Sequence, residues 1–233
     1  MIQKLSRKLL PPAVLSYVNR VWPNNSTQPV SGASDVDLDV YWDPQMAQLL
    51  DTWGEGTVWN ELESFLGNST GRILDIACGT GVMMQRLSKI SGAELHGCDI
   101  SDALLSKAVE RGIEEARLTQ CDATVMPYDK GYFEHAYSIG SLEHFPMSGI
   151  ESLMGQTARI VTGSVMHMVP VSRSGRDEGW IKRYQTYYNN SIEWWIERCR
   201  TQYAAVSVLD SRWEDDISVG KWFVCTTKRT DVS

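Results

Sequence analysis

The chain has 233 residues, enough for one domain with an elaboration or a small cap. Its hydrophobic fraction of 42% supports a sizeable core, and no stretch is long and apolar enough to cross a bilayer. A net charge of −7, with the two signs interspersed, argues against a protein that grips a nucleic-acid backbone, which calls for a clustered basic surface.

Met1 to Lys8 is basic and Leu9 to Val18 mostly apolar, the outline of a secretory signal. Pro11-Pro12 interrupts the run, and it leads into Asn19-Arg20 with no small-x-small cleavage site, so it reads instead as two short helical pieces. In the second, Val14, Leu15, Val18, Val21 and Trp22 share one face. Lys4, Arg7, Lys8 and Arg20 stand between Met1 and Ser34 with no acidic residue among them. Such a segment either docks on its own domain, the preferred expectation, or lies on an anionic membrane surface, a peripheral contact through residues 1–22. Asn24 to Ser34 has linker composition, which makes residues 1–34 one unit. Residues 35–68 follow as a helical cap, with helices expected over Asp43–Leu50 and Val58–Leu66 and three tryptophans, Trp42, Trp53 and Trp59, suited to core or lid packing.

From residue 69 to 233 the pattern alternates. Strands are expected at Ile73–Ala77, Glu94–Cys98, Ala116–Gln120, His135–Ile139 and Ser164–Val169, and helices at Val82–Ile90, Asp102–Arg111 and Ile150–Ile160. Alternation of this kind predicts a parallel sheet covered on both faces. Residues 170–190 are a polar, irregular insertion before a helix at Ser191–Arg200. Ala204–Leu209 and Lys221–Thr226 are joined by too short a loop for a helical crossover, so they are expected to pair antiparallel. Cys78, Cys98, Cys121, Cys199 and Cys225 have no C-x-x-C spacing and no zinc-like grouping with the four histidines, so reduced thiols in the cytoplasm and no metal are expected.

In open α/β sheets a ligand sits beyond the carboxyl ends of the strands, where the informative residues fall. Arg72-Ile73-Leu74-Asp75-Ile76-Ala77-Cys78-Gly79-Thr80-Gly81 is an apolar strand with a carboxylate, then a glycine-rich turn that brings bare backbone close to a ligand. Asp75 there can orient a bound ammonium or water. Asp99, ending the second strand, can accept from both hydroxyls of a ribose or cap the next helix, a task Ser101 serves equally well. At the third strand end Asp122 can accept from an adenine amino group while the Ala123 amide donates to a ring nitrogen, with Ile100 and Met126 placed to sandwich the ring; Asp122 reads equally as an ordinary turn residue. The fourth strand runs through Ile139 and Gly140 into Ser141-Leu142-Glu143-His144-Phe145, facing the reactive end.

These segments closely resemble class I S-adenosylmethionine-dependent methyltransferases, firmly over residues 62–145 and in the terminal strand pair. The resemblance implies a Rossmann-like, doubly wound, mostly parallel seven-stranded sheet with a C-terminal antiparallel hairpin, and S-adenosyl-L-methionine as cofactor, released as S-adenosyl-L-homocysteine. It also assigns the methionine part to the glycine turn with Asp75, the ribose to Asp99 and the adenine to Asp122 with Ala123. The family commonly has glycine where this chain has Ala77, a departure that leaves the site credible.

Methyl transfer is an in-line displacement that depends on alignment, and an oxygen acceptor must also lose a proton. His144 is the first candidate base and Glu143 a second, although a Glu-His pair at this place also has a structural reading. Arg173, Arg176, Trp180 and Tyr184 in the insertion, paired arginines with interleaved aromatics, suit a polar acceptor such as a sugar or envelope-glycan precursor, or else form a solvated loop. The start Lys4-Leu5-Ser6-Arg7-Lys8-Leu9-Leu10-Pro11-Pro12 is also similar to that of some bacterial envelope-glycan methyltransferases. Two rivals stay on the table. A non-catalytic S-adenosylmethionine-binding module docked on a membrane or partner would keep the cofactor residues, and an NAD-dependent oxidoreductase would share the turn and Asp99 but not Asp75, the Asp122-Ala123 turn or the terminal hairpin.

Overall fold

The computed structural model describes residues 28–29, 38–182 and 185–228. The amphipathic segment expected over residues 1–22, most of the linker, and Tyr184 lie outside the described residues. In chain order, strand β1 (Gln28–Pro29) precedes helices α1 (Pro44–Leu50) and α2 (Val58–Leu66). Then come β2 (Arg72–Ile76), α3 (Val82–Leu87), β3 (Glu94–Asp99), α4 (Asp102–Glu110), β4 (Leu118–Gln120), β5 (Phe133–Ile139), α5 (Met147–Ile160) and β6 (Val161–Ser172). Strands β7 (Trp180–Lys182) and β8 (Thr186–Tyr188), α6 (Ile192–Gln202), β9 (Ala205–Glu214) and β10 (Ser218–Thr226) complete it.

The main sheet has seven strands in the order β4-β3-β2-β5-β6-β10-β9. β10 runs antiparallel to both β6 and β9, while β4, β3, β2, β5 and β6 are mutually parallel. This is the doubly wound sheet with a terminal hairpin that the alternation predicts. Because parallel strands are covered on both faces, β2 reads as an unbroken buried run from Ile73 to Ile76. One face packs Ile150, Leu153 and Met154 of α5 and Trp195 and Cys199 of α6 against Phe133, Val165 and Phe223. The other packs Val58, Leu62 and Leu66 of α2 and Met83 and Leu87 of α3 against Ile73, Tyr137 and Trp222. Trp195 and Trp222, both fully buried, each remove a large apolar surface from water, on the order of 3 kcal/mol apiece.

Helix starts are set locally. Asp43 accepts from the Gln45 amide ahead of Pro44, Ser101 from the Leu104 amide and Ser191 from the Trp194 amide, satisfying donors a helix start leaves unpaired. Ser101 rather than Asp99 therefore caps α4.

Two expectations change. β6 runs to Ser172, well past Val169, because β10 pairs with it along its whole length from Ser164 to Ser172. The insertion is not irregular: β7 and β8 form an antiparallel hairpin, and β1 adds to it through Gln28–Lys182 and Pro29–Ile181 pairing, making a separate three-stranded sheet. Among the described residues no helix is long and apolar enough to cross a membrane.

Candidate active site

The glycine turn after β2 has three residues in left-handed conformation: Ala77 (φ 56°), Gly79 (φ 55°) and Gly81 (φ 70°). Glycine accepts this region freely, and Ala77 is the one non-glycine with positive φ among the described residues. The Gly79 amide donates to Asp99 Oδ2 at 2.8 Å and the Ser101 amide to Oδ1 at 2.9 Å. Burial pushes the Asp99 carboxyl up, and the backbone donors oppose it. Each oxygen keeps acceptor capacity beyond its one amide, which is what a pair of ribose hydroxyls needs. Asp75 is buried within β2 and accepts from Tyr137 Oη at 2.8 Å. Burial drives its pKa up to about 8, the Tyr137 bond holds it down, and nearby Asp99 adds to the rise. Tyr137, which the sequence reading passed over, is thus the direct partner of Asp75.

The third strand end is simpler. Asp122 is exposed, and its Oδ1 accepts from the Thr124 amide and hydroxyl, both at 2.8 Å, so the aspartate holds its own turn and has its second oxygen for a ligand. Ala123 and Met126 are buried and Ile100 half-buried, and Arg159 fixes the turn by donating to the Met126 carbonyl at 2.9 Å.

The cap is stitched to these strand ends. Trp42 Nε1 donates to Asp102 Oδ1 at 2.8 Å, and Ser101 Oγ to the Tyr41 carbonyl at 2.8 Å. Asp51 Oδ1 accepts from Thr80 Oγ1 of the glycine turn at 2.5 Å and from Arg111 Nη2 at 2.6 Å, while Arg111 Nε donates to the Thr80 carbonyl at 2.9 Å. A Cβ on Gly79 would lie 3.3 Å from Leu50 Cδ1, and one on Gly140 would lie 3.1 Å from Trp53 Cζ2. The cap therefore covers both the glycine turn and the end of β5.

At that end, Ile139 is half-buried and Gly140 turns the chain with φ 61° into a single turn of 3-10 helix, Leu142–His144. His144 Nδ1 lies 2.8 Å from the Thr186 carbonyl on β8. A carbonyl only accepts, so Nδ1 carries a proton, and Nε2 lies 3.9 Å from Glu143 Oε1. Glu143 is 3% exposed; its Oε2 is buried without a hydrogen-bond partner, and burial drives its pKa up to about 8. Beneath lies a buried chain in which His167 Nδ1 meets Ser138 Oγ at 2.8 Å and Nε2 meets Tyr203 Oη at 3.0 Å; burial lowers the His167 pKa to about 4.

Of the insertion residues expected to meet an acceptor, Arg173 is paired with Glu214 at 2.9 Å and the Asp215 carbonyl at 2.7 Å, and Arg176 is exposed. Trp180 is half-buried against Tyr188, with ring centroids 4.8 Å apart. The insertion reaches His144 through Thr186 and Tyr187 instead, the Tyr187 ring lying 6.1 Å away. Neither residue has a local signature, since both act from 42 or more positions along the chain.

Residues 73–163 match the family model described as "Methyltransferase domain". The chain is 30% identical to methyltransferase GfsG of Streptomyces halstedii over 128 residues, 52% of this chain and 45% of that one. It is equally identical to an uncharacterised Synechococcus protein over 118 residues, 46% of this chain and 27% of that one, so it spans less than half of either relative. Among solved structures, a Haemonchus contortus phosphoethanolamine N-methyltransferase in complex with phosphomonomethylethanolamine and S-adenosylhomocysteine superposes with a TM-score of 0.64 at 17% identity, over 86% of this chain and 61% of that one. A Burkholderia thailandensis 1,6-didemethyltoxoflavin-N1-methyltransferase, with its substrate and S-adenosylhomocysteine bound, gives a TM-score of 0.64 at 13% identity, over 87% and 93%. At such identities these two speak for the fold alone, and the family model speaks for residues 73–163. With the strand order, the glycine turn and its acidic partners, residues 73–163 thus form a methyltransferase domain on a Rossmann-like sheet.

Proposed function

We propose that the protein transfers a methyl group from S-adenosyl-L-methionine to an oxygen of a polar acceptor, a sugar or glycan precursor being the class that fits best. The observation that supports the reading is that buried Asp99 ends β3 on the Gly79 and Ser101 amides, while His144 follows β5, so both stand at the carboxyl edge of the sheet. The residues support the cofactor: Gly79 takes a left-handed turn without a side chain, buried Asp99 keeps acceptor capacity, and Ala123, Met126 and Ile100 are apolar. When bound, the cofactor supplies an electrophilic methyl group. The chain's own part is alignment, exclusion of water by the cap, and removal of the acceptor proton. His144 is the base in this reading, its ring oriented by the Nδ1–H bond to the Thr186 carbonyl.

The test is transfer of labelled methyl from S-adenosylmethionine into a fractionated extract of the source cells, with Asp99→Ala as control. Label should enter one fraction with the wild type, and Asp99→Ala should bind S-adenosylhomocysteine at least about tenfold more weakly. Binding with no label in any fraction would favour a non-catalytic module, and unchanged affinity in Asp99→Ala would remove Asp99 from the site.

A further inference from the structure

The two parts of the cap are held in different ways. Helix α2 belongs to the core: Val58, Trp59, Leu62 and Leu66 pack with Ile73, Leu87 and Trp222, and Glu61 accepts from Trp222 Nε1 at 2.8 Å. Residues 38–53 instead lie across the carboxyl edge of the sheet on polar ties. Before α1, Ser101 Oγ donates to the Tyr41 carbonyl and Trp42 Nε1 to Asp102, both at 2.8 Å. After it, a single oxygen, Asp51 Oδ1, accepts both the Thr80 hydroxyl at 2.5 Å and Arg111 Nη2 at 2.6 Å. Between the two parts stands Gly54-Glu55-Gly56-Thr57. Glu55 and Gly56 are exposed, Gly56 has φ 78°, and a Cβ there would meet nothing within 4 Å. An uncrowded, exposed glycine is where a backbone turns at low cost.

The Asp51 tie bears on the turn itself. Thr80 lies between Gly79 and Gly81, and both of its oxygens are engaged: the hydroxyl by Asp51, the carbonyl by Arg111 Nε at 2.9 Å. Leu50, the neighbour of Asp51, reaches within 3.3 Å of the Cβ position of Gly79, and Trp53 within 3.1 Å of that of Gly140. A ligand seated on the glycine turn is therefore covered while these contacts hold, and exchanges when they part. They are suited to parting. The Asp51 and Arg111 side chains keep 36% and 21% of their surface exposed, and a pair open to water and salt is a weak tie beside the apolar anchoring of α2.

We infer that residues 38–53 form a lid that turns on residues 54–57, and that the Asp51 latch sets how fast the cofactor enters and leaves. This rests on the methyltransferase reading above, which seats the cofactor on the glycine turn, and adds how that seat is opened. A gate shut most of the time scales exchange by the fraction of molecules that are open. The latch is made by the chain alone, so it slows entry and departure by the same factor. Weakening it raises the association and dissociation rate constants together and leaves Kd nearly unchanged. Damage to the seat acts differently, since it raises koff and Kd with no gain in kon.

Stopped-flow binding of S-adenosylhomocysteine to the full chain, followed by tryptophan fluorescence, tests the latch. Asp51→Asn keeps the shape and drops the charge, and should raise kon and koff at least about fivefold each, with Kd within about twofold. In an Arg111→Gln background the same substitution should add less than about twofold, because the two side chains make one tie. The wild type gives a second measurement that needs no variant. Added NaCl screens the Asp51–Arg111 pair, while S-adenosylhomocysteine carries no net charge at neutral pH, so kon should rise with salt in the wild type and stay level in Asp51→Asn. A kon unchanged by both the substitution and salt would overturn the latch while leaving cofactor binding intact. A rise in koff alone, with Kd following it, would also overturn the latch and make Asp51 a support of the turn. No binding by the wild type would take down the cofactor reading and this inference with it.

Discussion

The carboxyl edge of the sheet is finished in two ways. At β2, β3 and β4 each acidic side chain is already in a hydrogen bond: Asp75 with Tyr137, Asp99 with the Gly79 and Ser101 amides, Asp122 with Thr124. At β5 and β6 the acid is Glu143, buried with an oxygen unpartnered, beside a histidine held by a strand from the insertion. The first half is satisfied within the chain itself. The second is assembled from distant parts and leaves polar capacity for a partner, so substitutions in the two halves should differ in sign as well as size.

The largest effect is expected at His144. If Nε2 takes the acceptor proton, His144→Ala should lower kcat by on the order of a thousandfold. Binding of S-adenosylhomocysteine, read by calorimetry, should stay within about twofold, because the cofactor half does not depend on this ring. A loss of cofactor affinity matching the loss of rate would erase the distinction between the halves and return His144 to a structural role.

Stability should separate the halves next. Asp99→Ala strands the Gly79 and Ser101 amides and is expected to destabilise by about 1–3 kcal/mol in denaturant unfolding. Glu143→Gln should do the reverse, with a pH signature. The folded-state pKa of Glu143, about 8, lies above its ordinary value of 4.5, so the native chain holds a proton the unfolded chain has lost. Wild-type stability from this group is therefore full below pH 4.5 and lost as pH rises toward 8. Glutamine cannot ionise, so the stability difference in its favour should grow from pH 4.5 upward, by about 3 kcal/mol at pH 7. A difference that stays flat with pH would mean that Glu143 is not held protonated and that its surroundings are wetter than the geometry implies.

The same division explains what was legible in the sequence. Asp75, Gly79, Gly81, Asp99, Ala123 and Met126 each lie on or beyond a strand of the main sheet, so a strand-and-turn pattern is enough to place them at its carboxyl edge. The terminal hairpin was equally readable, because a short loop forces antiparallel pairing. Tyr137 was missed because it reads as a mid-strand aromatic, and its hydroxyl meets Asp75 only across the register of β2 and β5. Thr186 was missed because its backbone carbonyl, not its side chain, does the holding. Arg173 was over-read: an arginine in a polar stretch looks available until the β9–β10 turn brings Glu214 to it. Local chemistry reaches the β2–β4 half, and only tertiary contacts assemble the β5–β6 half.

The smallest predicted effect probes the one blemish in the first half. Ala77 sits at φ 56°, where an L side chain costs about 1 kcal/mol, at a position where the family commonly carries glycine. Ala77→Gly removes that strain but frees the unfolded backbone, an opposing effect of about 0.4–1 kcal/mol. Relief of strain is the larger of the two at positive φ, so the variant should be slightly more stable, raising Tm by about 2 °C. Cofactor affinity should hold, because the turn already has the conformation glycine prefers. A fall in Tm would mean that the Ala77 methyl packs well enough to outweigh its strain. The first half would then hold an interaction specific to this chain, which a socket shared across the family does not predict.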